Sequence, residues 1–366
     1  DLVAAWHGTP LDLATVPRED PTTYDMLCKA DSIGVFQIES RAQMSMLPRL
    51  KPRTWYDLVI EVSIVRPGPI QGGMVHPYLA ARADPSKINY AHPDLEPILA
   101  RTAGVPIFQE QVMAMAVAVG GFSPGEADHL RRAMGAWRKR GGLEPITNRL
   151  MAGMQERGIS ADYAERITKQ IQGFGEYGFP ESHAASFAHL VYVSIWLKCH
   201  WPAAFTCSLL NSQPMGFYSA RSLVADAQRH GVEVRPICVQ RSEWDNTLEP
   251  TAGQREAGGE LVPDRAIRLG LRQIKGMVEG DAQALVQGRG DEPFEDVGDL
   301  ARRTTLRRDV LARLARADAL SGLGIDRRTA LWQVEGLLDL PLFRGLLRAE
   351  TDPALPEATP AEELTE

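Results

Sequence analysis

Five cations crowd into ten positions of this 366-residue chain: Arg131, Arg132, Arg138, Lys139 and Arg140, with Trp137 among them. Neighbouring residues of a helix point about 100° apart, so Arg131 and Arg132 can fan around one polyanion instead of duplicating a contact. That pattern suits phosphate binding; a solvated basic helix face is the other reading of a charge run. A second set lies in residues 173–200, GFGEYGFPESHAASFAHLVYVSIWLKCH. Gly173, Gly175 and Gly178 let backbone approach a ligand closely, and Phe174, Tyr177 and Phe179 supply flat faces. Ser182 and His183 project from the first turn of the helix behind them. A buried helix with an aromatic plug at its start would read the same way. Arg66 opens an Arg-Pro-Gly-Pro turn, where two prolines forbid a continued helix and fix the exit angle of the arginine.

The elements that must carry these residues are mostly helices. The sequence predicts helices over Pro21–Cys28, Ala42–Leu50, Tyr56–Val65 and Val105–Val119, and strand or short-helix character over Ile33–Ile38. Ser123, Pro124 and Glu126 spell a helix N-terminus, and Gly135 is the expected stop of the helix bearing the arginine pair. Two amphipathic helices fill residues 144–171. After Pro180 comes a long helix on which Phe187, Leu190, Val191, Ser194, Ile195 and Lys198 recur at spacings of three and four, predicting one apolar face. Helices over Ala203–Asn211 and Arg221–His230 follow, then strand pairs flanking a Gly- and Glu-rich loop or linker at residues 249–264. Ile274–Gly280, IKGMVEG, resembles a helix-hairpin-helix turn, in which Lys275, Gly276 and Gly280 would offer a cation and main-chain amides to a nucleic-acid phosphate. RLARADALSGLG, ending at Gly324, is a weaker second unit. Past Leu340 the chain is rich in Pro, Ala and Glu, and disorder is expected.

Taken together, ADSIGVFQIESRA (30–42), IVRPGPIQGGMVHPYL (64–79), IFQEQVMAMA (107–116), ADHLRRAMG (127–135) and EYGFPESHAASFAHLVYVSIWLK (176–198) resemble, in order and spacing, the fingers region of bacterial C-family DNA polymerases, the polymerase III α subunit and its relatives. PESH in place of an Asn-Lys-Ser-His segment is similar to the error-prone translesion branch, ImuC. The resemblance implies a mainly α fold: a fingers domain over 1–212, a small α/β extension and linker over 213–262, a tandem helix-hairpin-helix domain over 263–340 and an acidic tail over 341–366. It implies that Arg131 and Arg132 grip the incoming dNTP and that Tyr177 stacks near the nascent base pair, with Ser182, His183 and Arg66 as further dNTP contacts. Lys275, Gly276, Gly280, Arg138, Lys139 and Arg140 would hold the primer-template duplex. It also implies Mg²⁺ in the parent enzyme, with palm carboxylates outside the matched part, so that no catalytic residue and no cofactor are expected here. Translesion accessory proteins and, through them, the sliding clamp are the implied partners. The acid Glu181, where relatives carry a cation, is expected to loosen the grip on template or nucleotide.

Composition sets the outer bounds. The net charge of −7 hides a segregation: Glu350, Asp352, Glu357, Glu362, Glu363 and Glu366 follow Arg348 with no basic residue among them, so the rest is nearly neutral. Local anion sites are therefore compatible with an acidic protein. No apolar run reaches the length of a membrane span, and Cys28, Cys199, Cys207 and Cys238 lack a paired spacing, which predicts reduced thiols in the cytoplasm. A metal site from Cys199, His200, Cys207 and His183 matches no standard zinc spacing. The competing functional class is a stand-alone, non-enzymatic helix-hairpin-helix DNA-binding protein.

Overall fold

The computed structural model describes the chain apart from residues 9, 67–68, 71, 141–142, 174–179, 216–217, 258–259 and 338–366. Tyr177 and the acidic tail lie outside the described residues. The fold is mainly α with one small sheet, as the sequence implies. It divides into two compact units, Leu11–Cys199 and a second made of Asp1–Pro10 with His200–Glu366.

The first unit is helical: α2 (Pro21–Cys28), α3 (Arg41–Leu50), α4 (Trp55–Ile64), α5 (Val75–Ala83), α6 (Gln109–Ala118), α7 (Pro124–Arg140), α8 (Leu143–Glu156), α9 (Ala161–Gly173) and α10 (Glu181–His200), with short helical turns between residues 85 and 102. Caps fix several of the starts. Thr54 and Asp57 form a reciprocal box at α4, and Ser123 and Glu126 form the one read from sequence, with Ser123 N donating to Glu126 Oε2 at 2.8 Å. Two expectations fail locally. Gly135 does not stop α7, which runs on to Arg140; a glycine costs a helix only about 1 kcal/mol, and the flanking Met134, Ala136 and Arg138 favour helix. Residues 33–38 form neither strand nor helix but a turn-rich loop with Gly34 and Gln37 at positive φ. Its base is closed by buried Ser32, whose hydroxyl donates to Ile38 O at 2.9 Å.

Helix α10 buries one broad face, along which Ala184, Ala188, Val191, Tyr192, Ile195 and Trp196 recur at spacings of three and four, and Val193 is buried on the opposite side. Leu190, expected on the apolar face, is instead exposed. Helix α8 crosses the turn after α6 so closely that a Cβ on Gly153 would stand 2.0 Å from Gly120 O. Gly153→Ala is therefore expected to cost about 1–3 kcal/mol through forced backbone displacement; an unchanged urea midpoint would contradict the close approach.

In the second unit, α1 (Leu2–His7) lies with α11 (Pro202–Asn211), α12 (Ala220–Arg229) and the sheet, and Arg265 stacks on Trp6 at 4.1 Å from the ring centroid. The sheet order is β1-β3-β2, from β1 (Val234–Arg235), β2 (Thr247–Ala257) and β3 (Glu260–Arg268). β3 pairs parallel to β1 and antiparallel to β2. The segment read as a loop at 249–264 is thus mostly a hairpin. Its Gly, Glu and Pro content hides the strand pattern, whereas the backbone pairs in register from Thr247↔Arg268 to Ala257↔Glu260, with an irregularity between Pro250 and Gln254. The rest is α13 (Glu279–Arg289), α14 (Val297–Thr304), α15 (Arg308–Arg316) and α16 (Arg327–Gly336) around one core that includes Leu271, Leu285, Leu300, Leu314 and Val334.

Candidate functional site

The loop at residues 33–38 and the start of α10 meet in the first unit. Phe36 stands edge-on to Phe187 at 5.3 Å, and Phe187 lies 4.2 Å from the His183 ring. Arg66 donates from Nη2 to Gln37 Oε1 at 2.8 Å and from Nε to Val62 O at 3.0 Å, so the turn arginine is aimed back over the end of α4. The structure therefore brings Arg66 and His183 to the two sides of one loop tip. Ser182 is exposed beside them.

Two residues that sequence reasoning missed hold this arrangement. Lys198 is buried, with Nζ 2.9 Å from Asp31 Oδ1 and donating to Ile33 O at 3.1 Å, which ties the loop to α10. Its signal was a lysine within an otherwise apolar spacing. Gln37 is the other, held in the left-handed region at φ 63° where a non-glycine residue is uncommon.

Glu181 does not face open space. Its carboxylate accepts from the Tyr56 hydroxyl at 2.8 Å and pairs with Arg101 at 2.9 Å, while its amide donates to Glu110 Oε2 at 3.1 Å. Burial first, then the bond to Glu181, raises the Tyr56 phenol above its ordinary pKa. The acid thus serves to fasten α10 to α4 and α6.

Arg131 and Arg132 form a separate group. Both bind one carboxylate: Arg131 Nε and Nη2 reach Asp128 Oδ1 at 3.0 and 2.9 Å, and Arg132 Nε reaches Oδ2 at 2.8 Å. The two guanidinium bonds hold the Asp128 carboxyl below its usual range, that from Arg132 contributing most. One negative charge shared by two positive ones leaves an exposed, aligned pair with a net positive charge. Among the described residues, no bond links this pair to the Arg66 and His183 group. Arg138, Lys139 and Arg140 occupy the last turn of α7.

In the second unit, buried Ile274 and Met277 anchor the hairpin turn in the core, leaving Lys275, Gly276 and Val278 outside. Gly276 has φ +81°, a conformation other residues adopt with strain, and its carbonyl accepts from Arg313 at 2.7 Å. Gly280 sits in the first turn of α13, where backbone amides lack acceptors within the helix. Glu279 and Asp281 flank it, two acids that oppose phosphate.

Of the residues considered as metal ligands, Cys207 is buried and its thiol is pushed up to about 12 by burial, the reverse of the thiolate a metal needs.

Comparison with known proteins gives these features a common setting. Residues 1–158 match the bacterial DNA polymerase III alpha subunit finger domain. Over its first 158 residues the chain is thus similar to a polymerase finger domain. Residues 231–330 match a helix-hairpin-helix motif. The error-prone DNA polymerase of Alkalilimnicola ehrlichii is 57% identical over 365 residues, covering 100% of this chain and 35% of that protein. That of Methylococcus capsulatus is 55% identical over 374 residues, covering 99% of this chain and 36% of its own length. The chain thus spans about a third of the length of these relatives. Four of the five motifs read from the sequence lie within the finger match, and the fifth, 176–198, lies beyond it in the part that these relatives also cover.

Proposed function

We propose that this chain supplies the nucleotide- and duplex-holding part of an error-prone DNA-directed DNA polymerase used in translesion synthesis. The observation that carries this reading is the arginine pair aligned by Asp128 on a polymerase finger domain. Two guanidinium groups held side by side match the several charged oxygens of a triphosphate, where charge moves during phosphoryl transfer. His183 and Phe187 offer ring faces, and Arg66 a further cation, at the loop tip that carries Phe36 and Gln37. The hairpin at Lys275 to Gly280, with Arg138, Lys139 and Arg140, binds the duplex through phosphates and without reading sequence. Accessory proteins that reach the sliding clamp are partners of the whole polymerase in this reading, and its place is the cytoplasm.

Mg²⁺ is the metal that this reading assigns to the whole polymerase. The carboxylates at these groups do not fit it: Asp128 is held by two arginines, and Glu181 by Tyr56 and Arg101.

Calorimetric titration with a dNTP tests the reading. Arg131→Ala and Arg132→Ala are each expected to weaken triphosphate affinity about tenfold to a hundredfold, the loss of one charge-assisted contact, while leaving duplex affinity within about twofold. Triphosphate affinity unchanged in both variants, alongside salt-sensitive duplex binding, would favour a plain DNA-binding module.

A further inference from the structure

Away from both groups, the first unit contains a cavity of about 330 Å³ between the chain at residues 13–19, the start of α4 and the middle of α10. Its volume is at the lower end of small-molecule sites. Val16 and Val193 are buried in its lining, and Trp55, His189, Tyr192 and Arg18 bring three rings and a guanidinium to it. Its wall is fixed before any ligand arrives. The Tyr192 hydroxyl donates to Pro17 O and accepts from Asp20 N, each at 2.8 Å, pinning the segment on both sides of Arg18 and Glu19. Glu19 is held at φ 54°, its carboxylate accepting from the Trp55 amide at 3.1 Å and from the Tyr24 hydroxyl at 2.7 Å. Such left-handed backbone at a non-glycine residue persists only where its surroundings hold it. The acid is thereby turned to its own fold.

Arg18 and His189 are exposed and make no ion pair or hydrogen bond among the described residues. An indole beside an apolar floor takes a flat ring, and an uncommitted guanidinium with an imidazole takes an anion. The geometry points to a second binding site in this cavity for one nucleotide unit, its base on Trp55 and its phosphate on Arg18 and His189. The unit is either a free nucleotide or one residue of a single strand, since stacking and phosphate pairing serve both.

The experiment titrates the 366-residue chain with dAMP, deoxyadenosine and a deoxyadenosine octamer, in the wild-type and in an Arg131→Ala, Arg132→Ala background that separates this cavity from the proposed triphosphate clamp. dAMP is expected to bind equally in both backgrounds. Trp55→Leu should weaken dAMP and deoxyadenosine alike, about tenfold, as for one stacked base. Arg18→Gln, at an exposed position that does not threaten folding, should weaken dAMP about tenfold and leave deoxyadenosine unchanged. Trp55→Phe should restore most of the affinity. An octamer at least tenfold tighter than dAMP, and sensitive to the same variants, identifies a strand residue; equal affinity identifies the free nucleotide. dAMP affinity untouched by Arg18→Gln and Trp55→Leu, or abolished by the Arg131 and Arg132 changes alone, overturns the site.

Discussion

Replacing Lys198 with methionine is expected to destabilise the Leu11–Cys199 unit by about 1–3 kcal/mol, less than for a fully buried pair because the Asp31 carboxylate left behind is 31% exposed. The Lys198 side chain is only 2% exposed, and its ammonium serves Asp31 and the Ile33 carbonyl together. Methionine fills similar volume, so packing is nearly conserved and the loss is electrostatic. For a unit of this size the midpoint of thermal unfolding should fall by about 3–10 °C. The consequence reaches the site, because Ile33 begins the loop that carries Phe36 and Gln37 to Phe187 and Arg66. Lys198→Met should therefore also weaken nucleotide binding, although Lys198 is placed at the loop base and not at its tip. A destabilisation under about 1 kcal/mol would show that the pair is incidental.

The second large effect is a dependence on pH. Glu61, on α4, is fully buried, and neither carboxyl oxygen has a hydrogen-bond partner. Burial alone pushes its pKa from 4.5 up to about 8. The folded chain then binds a proton at this group that the unfolded chain releases between those two values. Stability accordingly falls as pH rises through that window and levels off above it. The full effect is on the order of 5 kcal/mol, from about 1.4 kcal/mol for each pH unit of the gap. Urea midpoints of wild type and Glu61→Met between pH 5 and pH 8 check it: the variant should be more stable at pH 8 and should lose the downward slope. Parallel slopes in the two proteins would rule out Glu61 as the source.

Much of the helical framework was legible because its signals are local. The Ser123 and Glu126 cap, the proline after Arg66 and the apolar spacing of α10 each act within one or two turns. The features of the candidate site that escaped depend on partners far along the chain. Glu181 read as a foreign acid in a binding segment, yet Tyr56 and Arg101 engage it from 125 and 80 positions away. Arg131 and Arg132 could be named from their adjacency, whereas their alignment by Asp128 needed the side-chain geometry. The hairpin at Thr247–Arg268 was hidden because its composition is that of a loop, and strand pairing is a property of two segments at once.

By itself, then, the sequence determined the helical class, the finger and helix-hairpin-helix regions and the clustering of cations at 131–140, since periodicity, caps and motif order are written in neighbouring residues. Only the tertiary structure decided that α1 belongs with the sheet of the second unit, that Lys198 clamps the loop opposite His183 and that Arg18, Trp55 and His189 surround one cavity. These are long-range juxtapositions, fixed when apolar burial brings remote segments together and leaves their polar groups to find partners, and no local pattern encodes them.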